Sequence, residues 1–294
     1  MGYEKKAFLE VTLQETYNES VISNLVRNVT RGVGAEDGDS IDFTKSVLPK
    51  GIFKLTKAQR DADANTESQK LVDVKDSLQL QDLYYKRIRV QADWYSFADY
   101  DWKNLIAVPS AKELAESRDA LVTSTIVSSV DAEVVAVDPE DADAVLNHLR
   151  SVVRVAFTEA KAPRSGRYVA VSSDIYNTLL GHARFDDASR RGDTGLALSE
   201  ATIGRVYGFV VFEDINLPEA TMVAFDATAI FLGSAPLGAP EDDVQGTLVS
   251  EEGLTVGIQT GQSIEKLQHN VVVGTFLGAK VAIPERVKHY TFTA

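Results

Sequence analysis

Residues 41–91 set the strongest constraint on what this chain can fold into. IDFTKSVLPKGIFKL carries short strand-like pieces broken by Pro49 and Gly51. TKAQRDADANTESQKLVD is almost wholly polar, and VDVKDSLQLQ and KRIRVQ then alternate. Alternation places every second side chain on one face of a strand. Here the apolar places are thin, and lysine or arginine fills many of the others. Two such strands with a polar tip read as a long hairpin with little apolar face. An isolated hairpin is at best marginal in water. The segment therefore calls for a surface outside itself, and another subunit supplies one.

The flanking pieces differ in character. Residues 1–40 form a leader with weak helical spacing through Tyr17, Val21, Leu25 and Val29, followed by the loop RGVGAEDGDS. They read as a short helix on a flexible arm. Residues 92–164 turn aromatic at Trp94, Tyr95, Phe97, Tyr100 and Trp102, then helical after Pro109. Ser110 and Glu113 have capping-box spacing. The apolar stripe through Leu114, Leu121, Ile126 and Val130 is incomplete, and the β-branched section 122–130 is compatible with extended chain.

Residues 139–161 are the clearest helix. Pro139, Glu140, Asp141 and Asp143 suit its start, and Ala142, Val145, Leu149, Val152, Ala156 and Ala160 share a face. Over 165–265 strands alternate with a short helix, DIYNTLLGHA, capped by Ser173 or Asp174. The fold class is α+β. Within GRVYGFVVFEDINLP, residues 204–218, a strand from Val206 to Phe212 is apolar on both faces and so covered on both. Residues 266–283 read as a long strand, because Val271, Val272 and Val273 sit together beside Gly274.

Catalytic signatures are missing. Gly204 and Gly208 are four apart with a strand after them, whereas a dinucleotide fingerprint needs Gly-x-Gly-x-x-Gly between strand and helix. There is no phosphate loop and no Gly-x-Ser-x-Gly elbow. The histidines at 148, 182, 269 and 289 stand singly, and His148 reads as a stacking, hydrogen-bonded boundary residue. Ser172 and Ser173 read as helix caps, and Asp37, Asp39 and Asp42 lack the calcium-loop spacing. The tripeptide Arg191–Gly192–Asp193 reads as part of a solvated loop. With no cysteine, thiolate metal sites and disulfides are excluded. The expectation is a non-enzyme without cofactor or metal.

Charge points the same way. A net charge of -13 does not attract a phosphate backbone, although such a protein can enclose nucleic acid without gripping it. No run reaches the roughly 18 apolar residues of a membrane span, and the first residues do not read as a signal peptide. Basic residues gather on the hairpin: Lys45, Lys50, Lys54 and Lys57 on one strand, Lys86, Arg87 and Arg89 on the other. These are the subunit-contact candidates, set to meet an acidic neighbour.

Four segments in order carry a resemblance: RYVAVSSDIYNTLL (167–180), TIGRVYGFVVFEDINLP (202–218), VAFDATAIFLGSAPL (223–237) and VGIQTGQSIEKLQHNVVVGTFLGAKVAIPE (256–285). Together they resemble the major capsid protein of tailed bacteriophages, with the lambdoid-phage-type capsid fold. The resemblance implies an N-terminal arm (1–40), an extended hairpin loop (41–91), a peripheral domain with a long helix (92–164), an axial domain (165–265), and return strands of the peripheral domain (266–294). It places a short helix after the strand in 223–237. It also implies a virion protein, made in the host cytoplasm, that self-assembles as pentamers and hexamers into an icosahedral shell around DNA. A separate scaffolding protein, a portal and a decoration protein are the implied partners, with no membrane. Deleting residues 45–85 is expected to leave a folded monomer that forms no shell. The alternatives are an encapsulin-like compartment shell, a tail or accessory virion protein, and an α+β enzyme.

Overall fold

The computed structural model describes residues 2–30, 40–47, 72–80, 82–91, 107–182, 204–236, 245–251, 254–263 and 268–293. The architecture is α+β, as expected. Two six-stranded sheets and a small hairpin are joined by helices.

Residues 2–30 are more ordered than their sequence pattern predicts. Helix α1 (Gly2–Glu19) is followed by a single turn, α2 (Ile22–Leu25), and strand β1 (Arg27–Thr30). Leu13, Ile22 and Val26 are all buried. The segment is part of the body because its apolar residues find partners on other elements; alone, its spacing is too weak to fix a helix.

The first sheet contains β1, β10 (Ile230–Pro236), β13 (Gln268–Val281), β12 (Leu254–Ser263) and β11 (Gln245–Glu251), in that order. Strand β1 runs parallel to β10, and the rest are antiparallel. Strand β4 (Asp82–Gln91) also pairs with β13, from Gln268↔Gln91 to Leu277↔Asp82. The hairpin is made instead from β2 (Ser40–Val47) and β3 (Val72–Gln79), paired from Ser40↔Gln79 to Val47↔Val72. KRIRVQ is thus a sheet strand and not the hairpin's second arm. Its half-buried Tyr84 packs in a core with Leu13, Leu114, Leu254, Val256 and Val273, which fixes it to the body.

The second sheet has the order β5 (Glu133–Ala136), β14 (Val287–Thr293), β9 (Thr221–Asp226), β6 (Arg167–Val171), β8 (Phe209–Glu213) and β7 (Gly204–Val206). All six residues of β9 are buried. Met222 and Ala224 face one core while Val223 and Phe225 face another, which is why β9 reads as a continuous apolar run. GRVYGFVVFE is a tight hairpin and not one strand: Val206 pairs with Phe209 across Tyr207 and Gly208, with φ of 49° and 94°. Two consecutive residues at positive φ make the turn whose twist matches the flanking strands. The expected burial holds for Phe209 and Val211, while Val210 and Phe212 are half-buried.

Among the described residues the chain passes between the two large sheets from β4 to β5 by way of the helix at Val108–Ser129, and makes two short crossings, at β9–β10 and β13–β14. Asp226–Ala229 forms a turn closed by Thr228 Oγ1 donating to Asp226 Oδ2 (2.6 Å), not the expected short helix. The second crossing zips onto the first, because Ala282 N and Ile283 N both donate to Ala229 O (2.8 and 3.2 Å). By this crossover β10, β11 and β12 share a sheet with β13, while β14 joins the strands of 167–226.

Helix α3 (Val108–Ser129) runs for 22 residues and stays helical through its β-branched end. Its buried face includes Ala111, Leu114, Ala115, Arg118, Asp119, Val122, Thr123 and Ile126. The helix starts before Ser110, so the expected capping box is not formed; Ser110 Oγ is buried without a hydrogen-bond partner. The helix expected over 139–161 is α4 (Ala142–His148), a π turn at Leu149–Val153, and α5 (Arg154–Glu159). The π turn inserts an extra residue. It moves the buried face to Val145, Leu149, Val153 and Phe157, leaving Val152 exposed. Asp141 is its cap, accepting from Asp143 N and Ala144 N (3.0 and 3.2 Å). Helix α6 (Ser173–Leu180) has Ser172, not Ser173 or Asp174, at its cap position. Ser172 Oγ accepts from Thr221 N (3.2 Å), tying the helix to β9.

Candidate functional site

Two features stand out: the root from which the hairpin leaves the body, and a cleft beside α3. At the root, Leu78 and Leu80 are 1% and 3% exposed and pack with Phe231, Ala235 and Ala282. They lie over Gly233 and Gly278, which are direct partners across β10 and β13. A Cβ at Gly233 would meet Leu78 Cδ2 at 2.5 Å, and one at Gly278 would meet the Gln79 carbonyl oxygen at 1.9 Å. The two glycines form a bare seat on which the crossing chain rests; an isolated glycine inside a strand is a signal of such close approach. Lys280 pairs with Asp76 and donates to Ser77 O (3.0 Å), clamping the same crossing from the side. Burying two leucines contributes about 3–6 kcal/mol of transfer free energy, far more than the half-exposed ion pair.

Among the described residues, Lys86 and the pair Arg87 and Arg89 lie on different faces of β4. Lys45 lies on β2 opposite Val74. Lys50, Lys54 and Lys57 lie outside the described residues, as do Asp37, Asp39 and the Arg191–Asp193 tripeptide. Lys86 turns toward α3 and pairs with Glu113 at 2.7 Å. Arg87 and Arg89 are exposed on the other face of β4, opposite Val272 and Asn270. Strand alternation separates them: Lys86 points inward with Tyr84 and Ile88.

The cleft, about 420 Å³ in volume, opens where the end of α1 and the residues after it, α3, and the loop following β8 converge. Its floor is a polar junction. Asp119 Oδ2 accepts from Val21 N (2.8 Å) and Oδ1 from Ser23 N (2.9 Å), supplying the start of α2 with acceptors. Arg118, 1% exposed, donates to Ser20 Oγ at 3.1 Å. Thr123 donates to Asp214 Oδ2 at 2.6 Å, while Asn216 N and Nδ2 donate to Asp214 Oδ1 (3.0 and 3.2 Å). Burial pushes the Asp214 carboxyl up; the bonds from Thr123 and Asn216 oppose this, and the Asp119 charge adds to it. These groups join the leader, α3 and the β8 loop. They are structural bonds, and no nucleophile or base is paired among them.

His148, His182 and His289 make local contacts among the described residues. His148 is buried edge-on to Tyr290 (4.8 Å) and Phe292 (5.5 Å), and burial pushes its pKa down against the opposing Glu133 charge. Its Nε2 has no hydrogen-bond partner, which corrects the expected hydrogen-bonded boundary residue. His289 Nδ1 lies 3.1 Å from Val130 O, and His182 pairs with Asp143 at 3.3 Å. Among the described residues, no group of three or more histidines and carboxylates is arranged to hold a metal ion. No helix there is long and apolar enough to cross a membrane.

No family model matches the sequence, and no curated protein does. Solved structures do. A chain of Mycobacterium phage Che8 superimposes with a TM-score of 0.59 at 18% identity, over 92% of this chain and 90% of that one. The capsid structure of cyanophage P-SCSP1u gives 0.58 at 12% identity, over 93% and 88%. A virus-like particle from Pyrococcus furiosus gives 0.57 at 14% identity, over 96% of both chains. The chain has a capsid-protein fold. The likeness extends over nearly the whole chain and is one of fold. The four segments that suggested the capsid fold span β6 to β13, and the region they cover includes the crossover between the sheets. The glycine seat and the Asp119–Asp214 junction were missed, although Gly278 inside a valine-rich strand was a readable sign of the first.

Proposed function

We propose that this chain is a major capsid protein of a tailed phage, a shell subunit that self-assembles into an icosahedral capsid around DNA. The supporting observation is the likeness of fold across nearly the whole length of a capsid chain, 93% of this chain and 88% of that one in the cyanophage comparison. The function is assembly, not turnover. The β2–β3 hairpin reaches over a neighbouring copy, where its thin apolar face is covered between chains by strand-like and charge contacts. Many weak contacts closed into a shell reach a stability that one pair lacks. The acidic total keeps packed DNA from adhering to the wall, and no sequence-specific DNA contact is needed. Scaffolding, portal and decoration proteins are the accessory partners. The virion is the final location after synthesis in the host cytoplasm, with no membrane step.

Negative-stain microscopy of the purified chain, alone and with co-expressed neighbours from its genome, tests this. Closed shells are expected. Only monomers, rings or fibres would refute it. The expected deletion needs new limits, because Leu78, Leu80 and β4 belong to the body. Replacing residues 44–75 with a short glycine-serine turn should leave a folded chain that forms no shell. The likeness to a virus-like particle over 96% of both chains favours one second reading, an encapsulin-like compartment. Shells that carry a co-purifying enzyme and no DNA would select it.

A further inference from the structure

We infer that the cleft beside α3 is the seat for residues 50–60 of a neighbouring copy. The inference rests on the assembly reading and names the partner surface within it. The cleft is lined by five carboxylates and a single ammonium group, Lys112, which Glu19 already pairs at 3.1 Å. Asp119 and Asp214 are held inside by their own hydrogen bonds, whereas Glu116 and Glu213 stand exposed at the mouth. The mouth is also apolar: Ile215 is 76% exposed and Val21 48%. A large aliphatic side chain this open, beside unneutralised carboxylates, suits an occupant both cationic and apolar.

Residues 50–60 have that composition. KGIFKLTKAQR carries Lys50, Lys54, Lys57 and Arg60 without a carboxylate, and Ile52, Phe53 and Leu55 lie between the cations. In a chain of net charge -13, such a segment is attracted to the rest of its own kind. A cleft of about 420 Å³ admits a few side chains and not a whole element, within the roughly 300–1,000 Å³ range of built pockets. The root geometry directs the segment to another copy. Glycine seat and lysine clamp hold Leu78 and Leu80 to β10 and β13, and seven further residue steps of ladder carry the chain about 23 Å outward by Val47. Charge then steers the docking and the apolar contacts hold it.

The chain has no cysteine, so an engineered pair reports the contact directly. Chains carrying K54C and chains carrying I215C, distinguished by a size tag, are co-assembled, and isolated shells are oxidised and run on a non-reducing gel. Mixed dimers are expected, with yield falling as salt is raised during assembly. A control pairing K54C with V134C, at an equally exposed valine elsewhere, should give none. Shells without mixed dimers, equal dimers from the V134C control, or a link only within one chain of the double variant would each overturn the inference while leaving the assembly reading intact. Absence of shells from the unmodified chain, seen before oxidation, is the separate failure of the assembly reading.

Discussion

Substituting Gly278 with alanine should uncouple folding from assembly. The new Cβ would lie 1.9 Å from the Gln79 carbonyl oxygen, against an ordinary contact of about 3.4 Å for carbon and oxygen. Backbone meets backbone there, so the crossing chain must lift by about 1.5 Å. Its neighbouring support, Gly233 beneath Leu78, stays where it is about 5 Å away across the strand pair. Lifting one support tilts the ladder by about 17°, and over roughly 23 Å of ladder the far end moves about 7 Å, beyond the reach of any hydrogen bond or close apolar contact. The local strain costs about 1–3 kcal/mol. The body, with its other cores untouched, should melt only several degrees lower by circular dichroism. Shell yield, read by sedimentation and microscopy, should collapse. Gly233→Ala is the matched control: its Cβ meets the methyl ends of Leu78 and Leu80, at 2.5 and 2.9 Å, which can rotate away. Normal shells from Gly278→Ala, or equal loss from both variants, would refute the reasoning.

Other outcomes follow from single groups. Gly208 has a φ of 94° with no atom within 4 Å of a would-be Cβ, so Gly208→Ala should cost about 1–2 kcal/mol through backbone strain alone, seen as a lower midpoint in urea with an unchanged slope. The Asp214 carboxyl is raised above 3.8, so the folded chain holds its proton more readily than the unfolded one. That contribution is full below pH 3.8 and lost as pH rises through the folded value, so the melting temperature of Asp214→Asn relative to the parent should climb from about pH 4 to 7; a flat or falling difference contradicts it. His148 is lowered from 6.5, so its contribution is full above that pH and is lost as acid protonates the unfolded chain first. His148→Phe, which keeps the edge-on contacts, should therefore flatten the loss of melting temperature between about pH 7 and 5.

Where the local pattern matched the final environment, the sequence was a good guide. The long β13 and the helix at 173–180 were legible because apolar spacing there reports burial directly, whereas the strand expected over Val206–Phe212 folds back at Tyr207 and Gly208. The buried stripe of α3 was not. It runs through Arg118, Asp119 and Thr123, polar residues that find partners nearly a hundred positions away in Ser20, Val21, Ser23 and Asp214. A window along the chain sees only polar interruptions. The face of α4 and α5 was misread for another reason, since one extra residue in the π turn shifts every later position.

The sequence alone determined the class, α+β, and a segment too poor in apolar surface to stand by itself. It also determined the absence of catalytic and dinucleotide signatures, because those chemistries need particular residues at particular spacings. Only the tertiary structure decided which strands make the hairpin. KRIRVQ and VDVKDSLQLQ both alternate, and nothing local distinguishes them. Register and partner follow from which side chains find a core: Tyr84 packs against β13 under α3, whereas Leu78 and Leu80 settle on the glycine seat and send β2 and β3 outward. A two-residue period states that a strand has two faces, but what covers each face is a property of the folded chain.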